Sequence, residues 1–256
     1  MEMRVLIVTK KRTLFTLIVG LMILVAVVTT LAFSGVLGAS AKEKRLIPIY
    51  SVDVENNVAL TFDCAWGATK TKLIMDEIEK YGYKCTFFVT GFWVDANPEL
   101  VKEICARGHQ IGNHSENHPH LSKVDKETLG QEIDLVSAKI ESLTGMSATC
   151  FRAPYGEYDN NLMKALSERN IYCIQWSIDS LDWKGISGRE ITERVVNRLK
   201  SGEIVLFHND SDHVLDALPL VLSSVKNKGL KAVRVDELIY KDNYIVDGQG
   251  KQIKNA

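Results

Sequence analysis

Val58-Ala59-Leu60-Thr61-Phe62-Asp63-Cys64 is an almost continuously apolar run that ends on a carboxylate. Short, apolar and preceded by the turn signal Glu55-Asn56-Asn57, it predicts a buried strand over 58–62, with an earlier strand over 46–54 as the other arm of a hairpin. Downstream, residues 69–81 carry helix periodicity, with Leu73, Ile74, Glu77 and Ile78 marking faces, until Gly82 stops them. Residues 85–90 read as a second buried strand. A helix follows over 98–107, with Pro98 in its first turn and Gly108 after its end. The pattern then repeats. Strands are expected at 110–113, 148–151, 172–177, 204–207 and 231–233. Helices are expected at 126–143 (Asp125 as N-cap, Gly145 beyond the end), 160–169, 189–200 and 214–228, the last disturbed early by Pro219.

Strand-helix alternation of this kind predicts a parallel α/β fold, and roughly seven βα units suffice to close or nearly close a barrel. An open doubly wound sheet is the rival. No GxGxxG follows an early strand and no GxxxxGK[ST] exists, so no nucleotide cofactor is expected. Asp63, His114, Arg152, Asp179 and His208 each end or follow a predicted strand. In a βα fold the carboxyl ends of strands share one rim, so these distant residues are expected in one cleft.

The N-terminus is of another kind. Lys10, Lys11 and Arg12 precede an uncharged apolar run over 13–37, roughly 25 residues long and sufficient to cross a bilayer. It is read as a transmembrane anchor behind a cytoplasmic tail over 1–12, with an extracellular body. Ala39-Ser40-Ala41 resembles a signal-peptide cleavage site, and cleavage there would make the protein secreted. Residues 38–57 are expected to be linker and first hairpin strand, 58–240 a single catalytic-sized domain, and 241–256 a polar tail. With 31 basic and 32 acidic residues and no basic cluster interleaved with aromatics, nucleic acid is not an expected partner.

His114-Ser115-Glu116-Asn117-His118 places two imidazoles i, i+4, able to share a face and one divalent ion if the segment makes a helical turn. The five cysteines are odd in number and lack a CxxC pair, so no disulfide framework is indicated. Cys85, Cys150 and Cys173 read as small buried residues. His109 reads as structural and His120 and His213 as solvated. Trp66, Trp93 and Trp176 read as core or lid residues, and Glu116 stands one position late for an HExxH base.

Five segments taken in order, Thr61-Phe62-Asp63-Cys64, His114 to His118, Arg152-Ala153-Pro154-Tyr155, Asp179-Ser180-Leu181-Asp182-Trp183 and Leu206-Phe207-His208, resemble the motifs of the polysaccharide deacetylases, carbohydrate esterase family four. The resemblance covers about 58–238. It implies a distorted (β/α)7 barrel and metal-dependent removal of acetyl groups from N-acetylated sugars. By resemblance Asp63 is the base, paired with Arg152. His208 is the acid, tuned by Asp182. The backbone N–H of Tyr155 serves the oxyanion, Trp183 and Leu206 line the pocket, and His114 and His118 hold the metal. Asp179 completes its motif without a chemical step.

The chemistry agrees with these parts. Cleaving an acetamide requires an activated water, a partner for the oxyanion and an acid for the departing amine, and a metal with an open position supplies the first two. Imidazole titrates near neutral pH and suits the acid. Cys64 departs from the pattern, because most relatives carry there the Asp that is the third metal ligand. Either its thiolate completes a two-histidine, one-sulfur site, or the side chain faces inward and the ion is held by two histidines and water. Zinc is the expected ion, with Co2+, Mn2+ or Ni2+ as alternatives.

The expectation is thus a membrane-anchored, exported N-deacetylase of a cell-wall glycan, peptidoglycan or an N-acetylglucosamine polymer. The Asp-Cys-Ala-Trp-Gly form of the first motif also resembles a subgroup from spore-forming bacteria, which points to sporulation. A non-catalytic glycan-binding or septum-associated protein on the same scaffold is the alternative.

Overall fold

The computed structural model describes residues 2–37 and 43–255 and divides into two units, residues 1–44 and residues 45–256. The first unit is one helix, α1 (Glu2–Leu37). Its segment Lys10–Thr30, 21 residues with none of them buried, is long and apolar enough to cross a membrane. The basic tail expected over 1–12 is part of this helix from Glu2 onward, because nothing in it breaks a helix. Ala39-Ser40-Ala41 lies outside the described residues.

The second unit is built from β1 (Ser51–Val52), β2 (Asn57–Cys64), α2 (Thr71–Glu79), β3 (Thr86–Val89), α3 (Gly91–Ala96), α4 (Pro98–Ala106), β4 (Gln110–Asn113) and α5 (Lys126–Thr144). These are followed by β5 (Cys150–Phe151), α6 (Asn160–Ser167), β6 (Tyr172–Cys173), β7 (Ile178–Asp179), α7 (Gly188–Val196) and β8 (Ile204–His208). The chain ends with α8 (Val214–Asn227), β9 (Lys231–Val233), α9 (Val235–Leu238), β10 (Tyr244–Val246) and β11 (Lys251–Lys254). The main sheet is parallel in the order β6-β5-β4-β3-β2-β8-β7, with β9 paired to the start of β2. This is the half-barrel of a distorted (β/α)7 fold.

β2 sits at the centre, buried from Val58 to Cys64. Leu60, Phe62 and Cys64 face the helical layer, where they join Ile74, Met75 and Ile78 of α2 and Val221, Leu222 and Val225 of α8 in one core. Ala59, Thr61 and Asp63 face the barrel interior, since side chains alternate with period two. β8 runs in register beside β2, with Thr61 opposite Leu206 and Asp63 opposite His208. Pro219 lies within α8 without ending it.

Two expectations are corrected. The strand over 172–177 is instead two: β6 ends one edge of the sheet and β7 pairs with β8 at the other. The chain between them therefore crosses the open side of the half-barrel. The hairpin expected between strands 46–54 and 58–62 does not form either. β1 pairs in parallel with β11, which forms an antiparallel pair with β10, so residues 241–256 are a strand-bearing segment rather than a plain tail. The reason lies in the gap between the sheet edges. Ile49 N–H donates to Cys173 O and its carbonyl accepts from Gln175 N–H, while Val52 N–H donates to Gly202 O. Residues 49–52 thereby tie the β6 edge to the turn before β8. Gly202, at φ +80, is required there, since a Cβ would stand 1.8 Å from Val52 O.

Candidate active site

A cleft of about 650 Å3 opens where the carboxyl ends of the strands meet, and Asp63, His114, His118, Tyr155, Asp179, Trp183, Leu206 and His208 line it. Arg152 and Asp182 stand immediately behind. Of the residues expected there, only Cys64 is elsewhere.

Arg152 follows β5 and has no exposed surface. Its Nη1 donates to Asp63 Oδ1 at 2.8 Å and to Thr61 Oγ1 at 2.8 Å, Nη2 donates to Gln175 O at 3.1 Å, and Nε to Ile174 O at 3.4 Å. The guanidinium also lies over the Phe88 ring, 4.1 Å from its centroid. Burial opposes ionisation of Asp63, but the Arg152 charge, helped by His114 and His208, outweighs it and holds the carboxyl below its ordinary range.

His114 follows β4. Its Nδ1 donates to Arg152 O at 2.8 Å, which fixes the tautomer and leaves Nε2 as the lone-pair nitrogen, 3.6 Å from Asp63 Oδ2. The His118 ring stands edge-on to it, centroids 5.0 Å apart. Burial pushes both imidazoles toward the neutral form, His118 down to about 4 with the neighbouring His114 adding to the effect. The segment is not the helical turn expected from i, i+4 spacing: Ser115 and His118 adopt φ of 68° and 56°. Such backbone needs outside support. Glu132 of α5 provides it, accepting Asn117 N–H and Asn117 Nδ2, each at 2.8 Å, while its carbonyl accepts Glu116 N–H.

His208 ends β8 across the cleft. Its Nδ1 donates to Asp182 Oδ1 at 2.7 Å and its backbone N–H to Asp182 Oδ2 at 2.8 Å, an oxygen that also accepts from Ser211. Burial works against protonation, but Asp182, with Asp63 and Asp179 behind it, raises the imidazole above its ordinary value. Asp179 itself accepts the N–H of Leu181, which fits a role in shaping the turn.

The donors available to a divalent ion are the two neutral imidazoles of His114 and His118. His118 Nδ1 is buried without a hydrogen-bond partner among the described residues, as expected of a nitrogen kept for a ligand. Asp63 Oδ2, the oxygen that Arg152 leaves free, stands 3.6 Å from His114 Nε2 and borders this pair. The imidazole pair is open to a divalent cation. The third ligand is a correction: Cys64 Sγ faces the helical core, donates to Phe62 O at 3.7 Å and is held as a thiol by burial, which pushes its pKa well up. Among the described residues no cluster of three or more His, Cys, Asp or Glu has metal-holding geometry.

Sequence reasoning missed Thr61, Glu132 and Trp66. Thr61 lies inside the quoted motif, so alternation along β2 already put it on the Asp63 face. Glu132 sits on a helix face with no local signal. Trp66, read as core or lid, is 69% exposed beside the cleft.

The sequence profile described as polysaccharide deacetylase matches residues 52–174. A peptidoglycan-N-acetylglucosamine deacetylase from Bacillus cereus is 35% identical over 185 residues, covering 71% of this chain and 67% of that protein. The chain belongs to the polysaccharide deacetylase family. Among solved structures, the Bc1960 peptidoglycan N-acetylglucosamine deacetylase superposes on this chain with a TM-score of 0.72 at 32% identity, covering 74% of this chain and 91% of the other. A family-four pseudoenzyme from Bacillus anthracis gives a TM-score of 0.72 at 26% identity, covering 82% and 73%. The chain spans 44% to 67% of the length of the first curated relatives it matches.

Proposed function

We propose that this polysaccharide deacetylase is a metal-dependent hydrolase that removes N-acetyl groups from a peptidoglycan-type glycan, with Asp63 as base and His208 as acid. The carrying observation is the opposed tuning of these two groups, set opposite one another in register on β2 and β8. One is held ionised by Arg152 and the other is biased toward protonation by Asp182. A base and an acid in complementary states within one cleft are what amide hydrolysis needs.

Asp63 takes a proton from the attacking water, and Arg152 keeps its carboxylate charged and aimed. The backbone N–H of Tyr155 donates to the oxyanion. His208 gives its Nε2 proton to the departing sugar nitrogen, while Asp182 fixes the ring through Nδ1. Trp183 and Leu206 enclose the substrate and its acetyl methyl. His114 and His118 would hold a divalent ion, zinc first among candidates, which would supply Lewis acidity for the carbonyl and for the water. The apolar segment of α1 supports a membrane-anchored enzyme whose body faces the cell wall, and a sporulation role remains part of the proposal.

The test is acetate release from peptidoglycan and N-acetylglucosamine oligomers by the full-length protein in detergent, before and after chelation, with Zn2+, Co2+, Mn2+ or Ni2+ returned. Chelation and Asp63→Asn should each abolish release. Turnover indifferent to both rejects the mechanism. The inward-facing Cys64 favours one second reading, a glycan-binding protein without turnover, which binding of oligomers with no acetate released under any metal would support.

A further inference from the structure

Trp66 sits on the loop between β2 and α2, and that loop is fixed from Gly67 onward. Gly67 O accepts from Trp93 Nε1 at 2.7 Å and from Asn209 Nδ2 at 2.9 Å. Gly67, at φ +68, lies so close to Asp210 that a Cβ would stand 1.9 Å from Oδ2. Asp210 Oδ1 accepts from Thr69 Oγ1 at 2.7 Å and from Lys70 N–H at 3.2 Å. On this anchored loop the indole is 69% exposed. Its ring stands edge-on to His118 with centroids 5.2 Å apart, and the exposed Tyr155 ring flanks the same imidazole from 4.7 Å. Phe92 supports the indole at 5.9 Å.

We propose that Trp66 is a preformed stacking platform for the pyranose ring next to the one being deacetylated, so that the enzyme selects a glycan chain over a single sugar. This rests on the reading of the cleft as a deacetylase site. A pyranose presents an apolar face of C–H groups that a flat indole covers well. Because the ring is already held in place, little conformational freedom is lost on binding. The sugar whose acetyl group lies at Asp63 and His208 would then have its neighbour above Trp66, beside the histidine pair.

The test compares Trp66→Ala and Trp66→Phe with the native full-length protein in detergent. Chitotetraose and N-acetylglucosamine are the substrates for acetate release. Chitotetraose affinity is measured separately by calorimetry in the Asp63→Asn background, where no turnover is needed. Trp66→Ala should weaken tetramer affinity about tenfold and raise its KM by a similar factor, a change of about 1.4 kcal/mol. The tetramer-over-monomer preference should fall, kcat should change far less than KM, and Trp66→Phe should recover most of the affinity. Undiminished tetramer affinity in Trp66→Ala, or equal losses on tetramer and monomer, overturns the proposal. If the native protein binds chitotetraose but releases no acetate, the deacetylase reading fails, and the calorimetric comparison still decides the role of Trp66.

Discussion

Replacing Arg152 by Met removes the cation that faces Asp63 while keeping a side chain of similar length. The pair is buried on both sides, Arg152 with no exposed surface and Asp63 7% exposed, and the Nη1 to Oδ1 contact is 2.8 Å. Two unit charges about 4 Å apart attract by roughly 4 kcal/mol at an effective dielectric constant of about 20. Removing one partner of a buried pair costs about 3–5 kcal/mol, since the other charge is left in a poor solvent. For a domain of this size that corresponds to a fall in melting temperature of roughly 6–20 °C. The carbonyls of Ile174 and Gln175 also lose a donor, so the single variant overstates the pair. A double-mutant cycle with Asp63→Asn separates the two effects, because the orphaned carbonyls appear in both arms and cancel. Urea unfolding of the four full-length proteins, followed by tryptophan fluorescence, should give a coupling of about 2–3 kcal/mol, the double variant being less damaged than the sum of the singles. The sign with pH follows. A carboxyl held below its unfolded value contributes stability above the unfolded pKa, lost as pH falls through the folded one. Arg152→Met should therefore flatten acid unfolding of the native protein, and any residual activity should rise with pH as a carboxyl now raised by burial ionises. Costs of the two substitutions that add within about 0.5 kcal/mol would show that Arg152 does not hold Asp63 charged.

Three further outcomes are expected. Asp182→Asn removes what raises His208, so the alkaline limb of the kcat/KM profile, expected above about pH 6.5, should move to lower pH, and an unmoved limb would remove Asp182 from that role. Glu132→Ala unlatches Asn117 and with it the left-handed backbone at His118, so zinc affinity measured by calorimetry should fall about 10- to 100-fold, as for other residues that orient a ligand, while undiminished affinity would refute the latch. Cys64→Ser should leave the metal content of purified protein unchanged and Cys64 should resist alkylation in the native state; loss of metal in the serine variant would restore the thiolate as a ligand.

Much of this molecule was legible in its sequence. Apolar runs ending on Asp63, His114 and His208, with helices between them, dictate a parallel sheet whose carboxyl ends form one rim, because buried strands and amphipathic helices are local patterns. The same runs mark the core that hides Cys85, Cys150 and Cys173, which are buried and free. What only the tertiary structure decided depends on partners distant in the chain. The backbone donors of residues 49–52 bond to Cys173, Gly202 and the carboxyl-terminal segment rather than to β2, since the half-barrel has edges to satisfy and a hairpin would leave them bare. The loop from His114 to His118 takes its left-handed turns from Glu132, on a helix whose docking no local spacing encodes. Cys64 shows the boundary between the two. Its place in the motif names a ligand, but strand alternation turns its sulfur to the face opposite Asp63, and only packing against the α2 and α8 core makes that choice final.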